Sequence, residues 1–105
     1  MQQQTDTYRR LRASLDEVLA VTAVEKSAAT TRSYSLAMRN FVGILGDMPL
    51  ELLTSKHVSD FKIRRMQSVS PAAVNVDMRS LKAMFTVMVQ WEWLIKNPFV
   101  NVKLV

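Results

Sequence analysis

Apolar residues recur along this chain at the 3.6-residue spacing of amphipathic helices, and no stretch sustains the period-two alternation of a strand. Only two Gly and three Pro punctuate 105 residues, so the pattern predicts one all-helical domain, a bundle of four or five helices. The first helix is predicted to start after Thr5 or Thr7 and to run to about Val24. Tyr8, Leu11, Leu15, Val18, Leu19 and Thr22 lie on its buried face, with Arg9, Arg12 and Asp16 opposite. Residues 1–6 read as a flexible tail, and Met1 as a natural start.

Ser27 or Thr30 supplies the N-cap of a second helix, and Gly46 its C-cap in the left-handed conformation. Tyr34, Met38, Phe41 and Leu45 form its apolar stripe, flanked by Ala37 and Val42. Arg32 and Arg39 fall on nearly the opposite side, toward solvent or a ligand. Leu50–Leu53 reads as a single helical turn or an extended link. Thr54 then caps a third helix to about Gln67, which buries Val58, Phe61 and Met66 inside a ring of Lys56, Lys62, Arg64 and Arg65.

Ser70-Pro71 opens the fourth helix with a cap and a proline at the first helical position. Asn97-Pro98 forbids continuation, so the helix ends by about residue 95, with a break expected near Trp91. At about 100° per residue, Val74, Met78, Leu81, Phe85, Met88 and Val89 share one arc. Ala73, Val76, Met84, Val87 and Trp91 share a second, nearly opposite. Two apolar arcs imply a helix packed between others, leaving Asn75, Arg79, Lys82, Thr86 and Gln90 as its narrow wet window.

Charge changes the picture. Residues 1–53 carry six basic and six acidic side chains, whereas residues 54–105 carry eight and three, so the whole net charge of +5 lies in the second half. That asymmetry suits a polyanion, nucleic acid before membrane, because no basic helix also shows an inserting aromatic face. The longest unbroken apolar run is four residues, Val18 to Val21, and the chain reads as soluble and cytoplasmic. With no Cys and a single His57, neither a metal site nor any other cofactor is expected, and His57 reads as a surface or capping residue. No nucleophile–base–orienter grouping and no glycine-rich phosphate loop is present, which argues against catalysis. Asn and Arg are the side chains that pair bidentately with adenine and guanine edges. The spacing Asn75, Arg79, Lys82 sets three such polar groups along one line of a helix. Trp91 and Trp93, with Leu94, Ile95, Phe99 and Val100 after them, either cap the core or form a docking patch.

Three stretches then carry a resemblance over residues 8–103. The first is Ser27-x-x-Thr30-x-x-x-Tyr34 with Phe41 following, and the second is Leu50 to Val58 with Phe61 and Arg64 or Arg65. The third is Ser70-x-x-x-x-Asn75-x-x-x-Arg79-x-Leu81-Lys82-x-x-Phe85, closing on Leu94-Ile95-Lys96-Asn97-Pro98. The chain resembles the N-terminal core-binding, SAM-like domain of tyrosine recombinases, the phage integrase family. The resemblance implies an orthogonal helical bundle forming one half of a clamp on double-stranded DNA, its second and fourth helices in or beside the major groove. It implies that Thr30 and Ser70 contact phosphates, that Asn75, Arg79 and Lys82 face the groove or its backbone, and that Arg32 is a weaker contact. Ala73 stands where the family often has Thr or Ser, removing a hydroxyl contact.

Such proteins cut DNA through a Tyr, two Arg, a Lys and His residues of a separate C-terminal domain, and Tyr8 and Tyr34 match no such motif. The resemblance therefore implies a binding domain that does not cleave, with residues 97–105 as the link to a catalytic domain of the same parent protein and other recombinase protomers as partners. The competing reading is a protein-interaction module that docks through Trp91–Val105.

Overall fold

The computed structural model describes residues 8–105, and the expected flexible tail, residues 1–6, lies outside them. Four α-helices make up the described chain: α1 (Leu11–Glu25), α2 (Ala28–Leu45), α3 (Ser55–Met66) and α4 (Pro71–Gln90), with a 3-10 turn at Leu50–Leu52. The chain is all-α, as its pattern predicts. α4 packs against each of the other three helices, and most extensively against α2.

All four Phe of the sequence meet in one cluster. Phe41 of α2 lies 5.0 Å from Phe61 of α3, 6.0 Å from Phe85 of α4 and 5.6 Å from Phe99, measured between ring centroids. Phe85 and Phe99 are 5.3 Å apart. These separations are those at which aromatic edges and faces attract. Phe99 follows Asn97-Pro98, so the segment after the last helix is a wall of the core. Trp91, Trp93, Leu94 and Val102 pack against that core half-buried.

Several boundaries follow from local chemistry. The Ser27 hydroxyl accepts from the Thr30 backbone N–H at 3.1 Å, so Ser27 is the cap and Thr30 sits in the first turn. Ser70 accepts from the Ala73 N–H at 3.3 Å. His57 is a capping residue: its Nδ1 accepts the Thr54 backbone N–H at 3.1 Å. Gly46 has φ 82° but ψ 161°. That conformation is essentially open to glycine alone and differs from the left-handed cap expected, because ψ is extended.

α1 does not begin after Thr5 or Thr7. Tyr8 to Arg10 are non-helical and Tyr8 is 58% exposed, not on a core face. The cap of α1 is non-local. Leu11 donates its N–H to the Met48 carbonyl at 2.7 Å, and Arg12 donates to Asp47 Oδ1 at 3.0 Å, so the loop after α2 satisfies the first turn of α1. That bond, more than the nearby Arg10 charge, holds the Asp47 carboxyl below its ordinary range, against a smaller opposing effect of burial.

The two-arc reading of α4 needs one correction. Its buried positions are Val74, Asp77, Met78, Ser80, Leu81, Met84, Phe85 and Met88, while Val76 is 49% exposed beside the polar window. Asp77 is inside because it has partners: Arg65 Nε donates to its Oδ2 at 2.9 Å and Asn40 Nδ2 at 3.2 Å, joining α3, α2 and α4. Arg65 is therefore a core-edge ion-pair partner and not part of the solvent ring predicted for α3.

Helix α4 stops at Trp91, as expected, by a Schellman closure. The Trp93 N–H reaches the Met88 carbonyl at 2.9 Å and the Glu92 N–H reaches that of Val89 at 3.0 Å. Glu92 occupies the left-handed position at φ 65°. The reversal turns Trp93 back onto the domain, where the Arg9 guanidinium lies 3.5 Å above its ring.

Candidate nucleic-acid interface

Helix α4 presents its polar window outward, with Arg79, Lys82, Thr86 and Gln90 all exposed. The segment after α4 lies along one margin of this window and engages three of its residues, Asn75, Lys82 and Thr86. Asn75 is paired twice with the Val105 backbone, donating from Nδ2 to the carbonyl at 3.0 Å and accepting the N–H on Oδ1 at 2.8 Å. Asn97 Nδ2 donates to the Lys82 carbonyl at 2.9 Å and to Thr86 Oγ1 at 3.0 Å, while its Oδ1 accepts the Phe99 N–H at 2.9 Å. Asn97 thus pins the returning segment to α4. The pair of bonds fixes the Asn75 amide against the backbone of Val105 and leaves one N–H and one lone pair of it uncommitted.

Arg79 and Lys82 keep free cationic heads. Among the described residues, neither side chain makes an ion pair or hydrogen bond. Both line a small cavity of about 120 Å³ under the returning segment, with Met78, Phe99, Val102 and Leu104. On its other side Arg79 joins Thr30 in a shallow groove of about 330 Å³ between α2 and α4, walled by Ala29, Ser33, Tyr34, Val76 and Ser80. Arg79 is the ridge between the two. The groove mixes an apolar wall, hydroxyls and one guanidinium, the chemistry that reads a base edge and grips a phosphate beside it.

Of the sequence-derived candidates, the structure brings Thr30 and Arg79 together, with Lys82 one turn beyond. Arg32 is exposed on the outer face of α2, one residue from the groove-lining Ser33. Ser70 sits at the start of α4, engaged as its cap. Asn75 belongs to the opposite margin of Arg79, under the returning segment.

Charge by sequence halves hides where free cations gather. In the second half, Lys56 pairs with Asp60, Arg65 with Asp77, Lys62 donates to the Lys103 carbonyl and Arg64 to the Ile44 carbonyl. In the first half, Arg12, Arg32 and Arg39 have side chains with no partner among the described residues. The signal for Arg39 was its position opposite the stripe of α2.

Fold and surface define a class, a small all-α domain whose unpaired guanidinium and ammonium groups flank a groove between two helices. The family model for the phage integrase N-terminal domain matches residues 8–105, and the chain belongs to that family. That domain is a non-catalytic module of tyrosine recombinases, which ties the chain to site-specific recombination. No curated protein matches it significantly. No described helix is long and apolar enough to cross a membrane.

Proposed function

We propose that the domain is the DNA-binding module of a site-specific tyrosine recombinase, holding the recombination core site through α2 and α4 without cleaving it. The observation that carries this reading is Arg79, an unpaired guanidinium shared by the α2–α4 groove and the α4 window, with unpaired Lys82 one turn away. Arg79 reads a base edge or grips its phosphate, Lys82 and Arg32 hold backbone phosphates, and Thr30 and Ser70 place the two helix starts against the strands. Asn75, fixed against the segment after α4, acts here as a positioning residue. The catalytic domain of the same parent protein would complete the clamp from the other side, and other protomers would complete the assembly.

The alternative, docking through Trp91–Val105, has less support because Phe99 lies in the core and the two tryptophans pack on it. Fluorescence anisotropy of labelled duplex DNA across a salt series tests the first reading. Neutralising about five phosphates gives a log-affinity against log-salt slope near −4.5. Arg79→Glu/Lys82→Glu, confirmed folded by circular dichroism, is expected to lose that binding. Equal and negligible affinity of both proteins at low salt sinks the proposal.

A further inference from the structure

A second groove, of about 390 Å³, lies between α1 and α2 on a different side of the bundle from the α4 window. Arg12, Met38, Arg39, Val42 and Gly43 line it. Its two arginines come from different helices, and neither head has a partner among the described residues. The Asp47 carboxylate is already committed, to the Arg12 backbone N–H at 3.0 Å and to Arg10 Nε at 3.6 Å. Asp16, one turn beyond Arg12, makes no ion pair with it.

Gly43 is the second observation. It sits within the last turns of α2 with ordinary helical backbone, is exposed, and a Cβ added to it would meet nothing within 4 Å. Glycine weakens a helix at such a position relative to alanine, and no packing inside the chain calls for it. A bare backbone between two free guanidiniums suits a surface that comes close to α2 and carries negative charge. The exposed Arg32 stands two helical turns from Arg39, about 10.5 Å along α2. Arg32 neighbours Ser33 of the α2–α4 groove in sequence, while Arg39 lines the α1–α2 groove.

We infer that Arg12 and Arg39 form a second phosphate-binding site, in which the phosphodiester backbone flanking the core site seats over Gly43. The inference rests on the DNA-binding reading and extends it from α4 to α1. Guanidinium groups suit this ligand because their planar forks match phosphate oxygens. The site adds affinity and no sequence preference, since it meets only backbone.

Four proteins, each checked for native helicity and melting temperature, test it in the same anisotropy salt series: the native domain, Arg12→Ala/Arg39→Ala, Gly43→Leu and Arg79→Glu/Lys82→Glu. Loss of two phosphate contacts should make the slope of Arg12→Ala/Arg39→Ala shallower by about 1.8. Gly43→Leu keeps every charge and fills the seat, and is expected to weaken binding about tenfold. Native slope and affinity in both variants, with binding still lost in Arg79→Glu/Lys82→Glu, overturn the second site and leave the DNA-binding reading standing. Absence of binding by the native domain overturns both.

Discussion

Replacing Asp77 with alanine is the most direct probe of how this bundle is held in register. The Asp77 side chain is 8% exposed and that of Arg65 is 21% exposed, so substitution leaves a guanidinium facing the core edge with its charge uncompensated. Breaking a fully buried pair costs about 3–5 kcal/mol. Arg65 retains water over a fifth of its surface, which brings the cost to about 2–3 kcal/mol even with the lost Asn40 bond included. A domain of this size holds roughly 5–15 kcal/mol in all. At about 4–8 °C per kcal/mol the melting temperature should fall by about 10–20 °C, measured by circular dichroism and urea titration.

Asp77→Asn keeps an oxygen for Arg65 Nε and should fall by less. The apolar double variant Arg65→Met/Asp77→Leu should recover most of the loss, because removing both partners leaves no orphan charge. A drop below about 4 °C for Asp77→Ala, or a double variant melting as low as the single one, refutes the reasoning.

Phe99→Ala should cost about 3–5 kcal/mol in urea unfolding, as for a core phenylalanine, although the residue lies beyond the last helix. Ser70→Ala should cost about 1 kcal/mol by releasing the Ala73 N–H at the start of α4. Glu92→Gly should raise stability by about 0.5–1 kcal/mol, because glycine accepts φ 65° without the penalty a side chain brings. Asp47 contributes stability that is present above its unfolded pKa, near the ordinary 3.8, and is lost as pH falls through its lower folded value. The stability gap between the native domain and Asp47→Asn should accordingly shrink as pH drops below 3.8, followed by thermal melts from pH 6 down to pH 2.5.

What the sequence revealed divides along the line between local and tertiary causes. The start of α4 was readable because Ser70-Pro71 acts on its own first turn, whereas Asn97-Pro98 bounded its end only to about residue 95, with a break expected near Trp91. The start of α1 was not, because its cap is Asp47, 35 residues away from Arg12 in sequence. The polar window of α4 followed from angles alone, but its partial cover did not, since the return of residues 97–105 depends on Phe99 finding the core. Asp77 falls between the two apolar arcs of α4, and only the approach of α3 supplies the arginine that lets a carboxylate go inside. For the candidate site, residue type and spacing picked out Arg79 and Lys82, whereas the α1–α2 groove needed two helices to be placed side by side.

The burial of Phe99 has a mechanical consequence. Force or torque applied at Val105 meets the Asn75 pairing first, then the Phe99 ring packed on those of Phe41 and Phe85, and then α4 itself through Asn97. Slack released by the surface bonds ends at Phe99, which the core holds. Residues 97–99 are a lever arm keyed through Asn97 and Phe99 to the helix that carries Arg79 and Lys82, so a turn imposed on them is passed to those two residues.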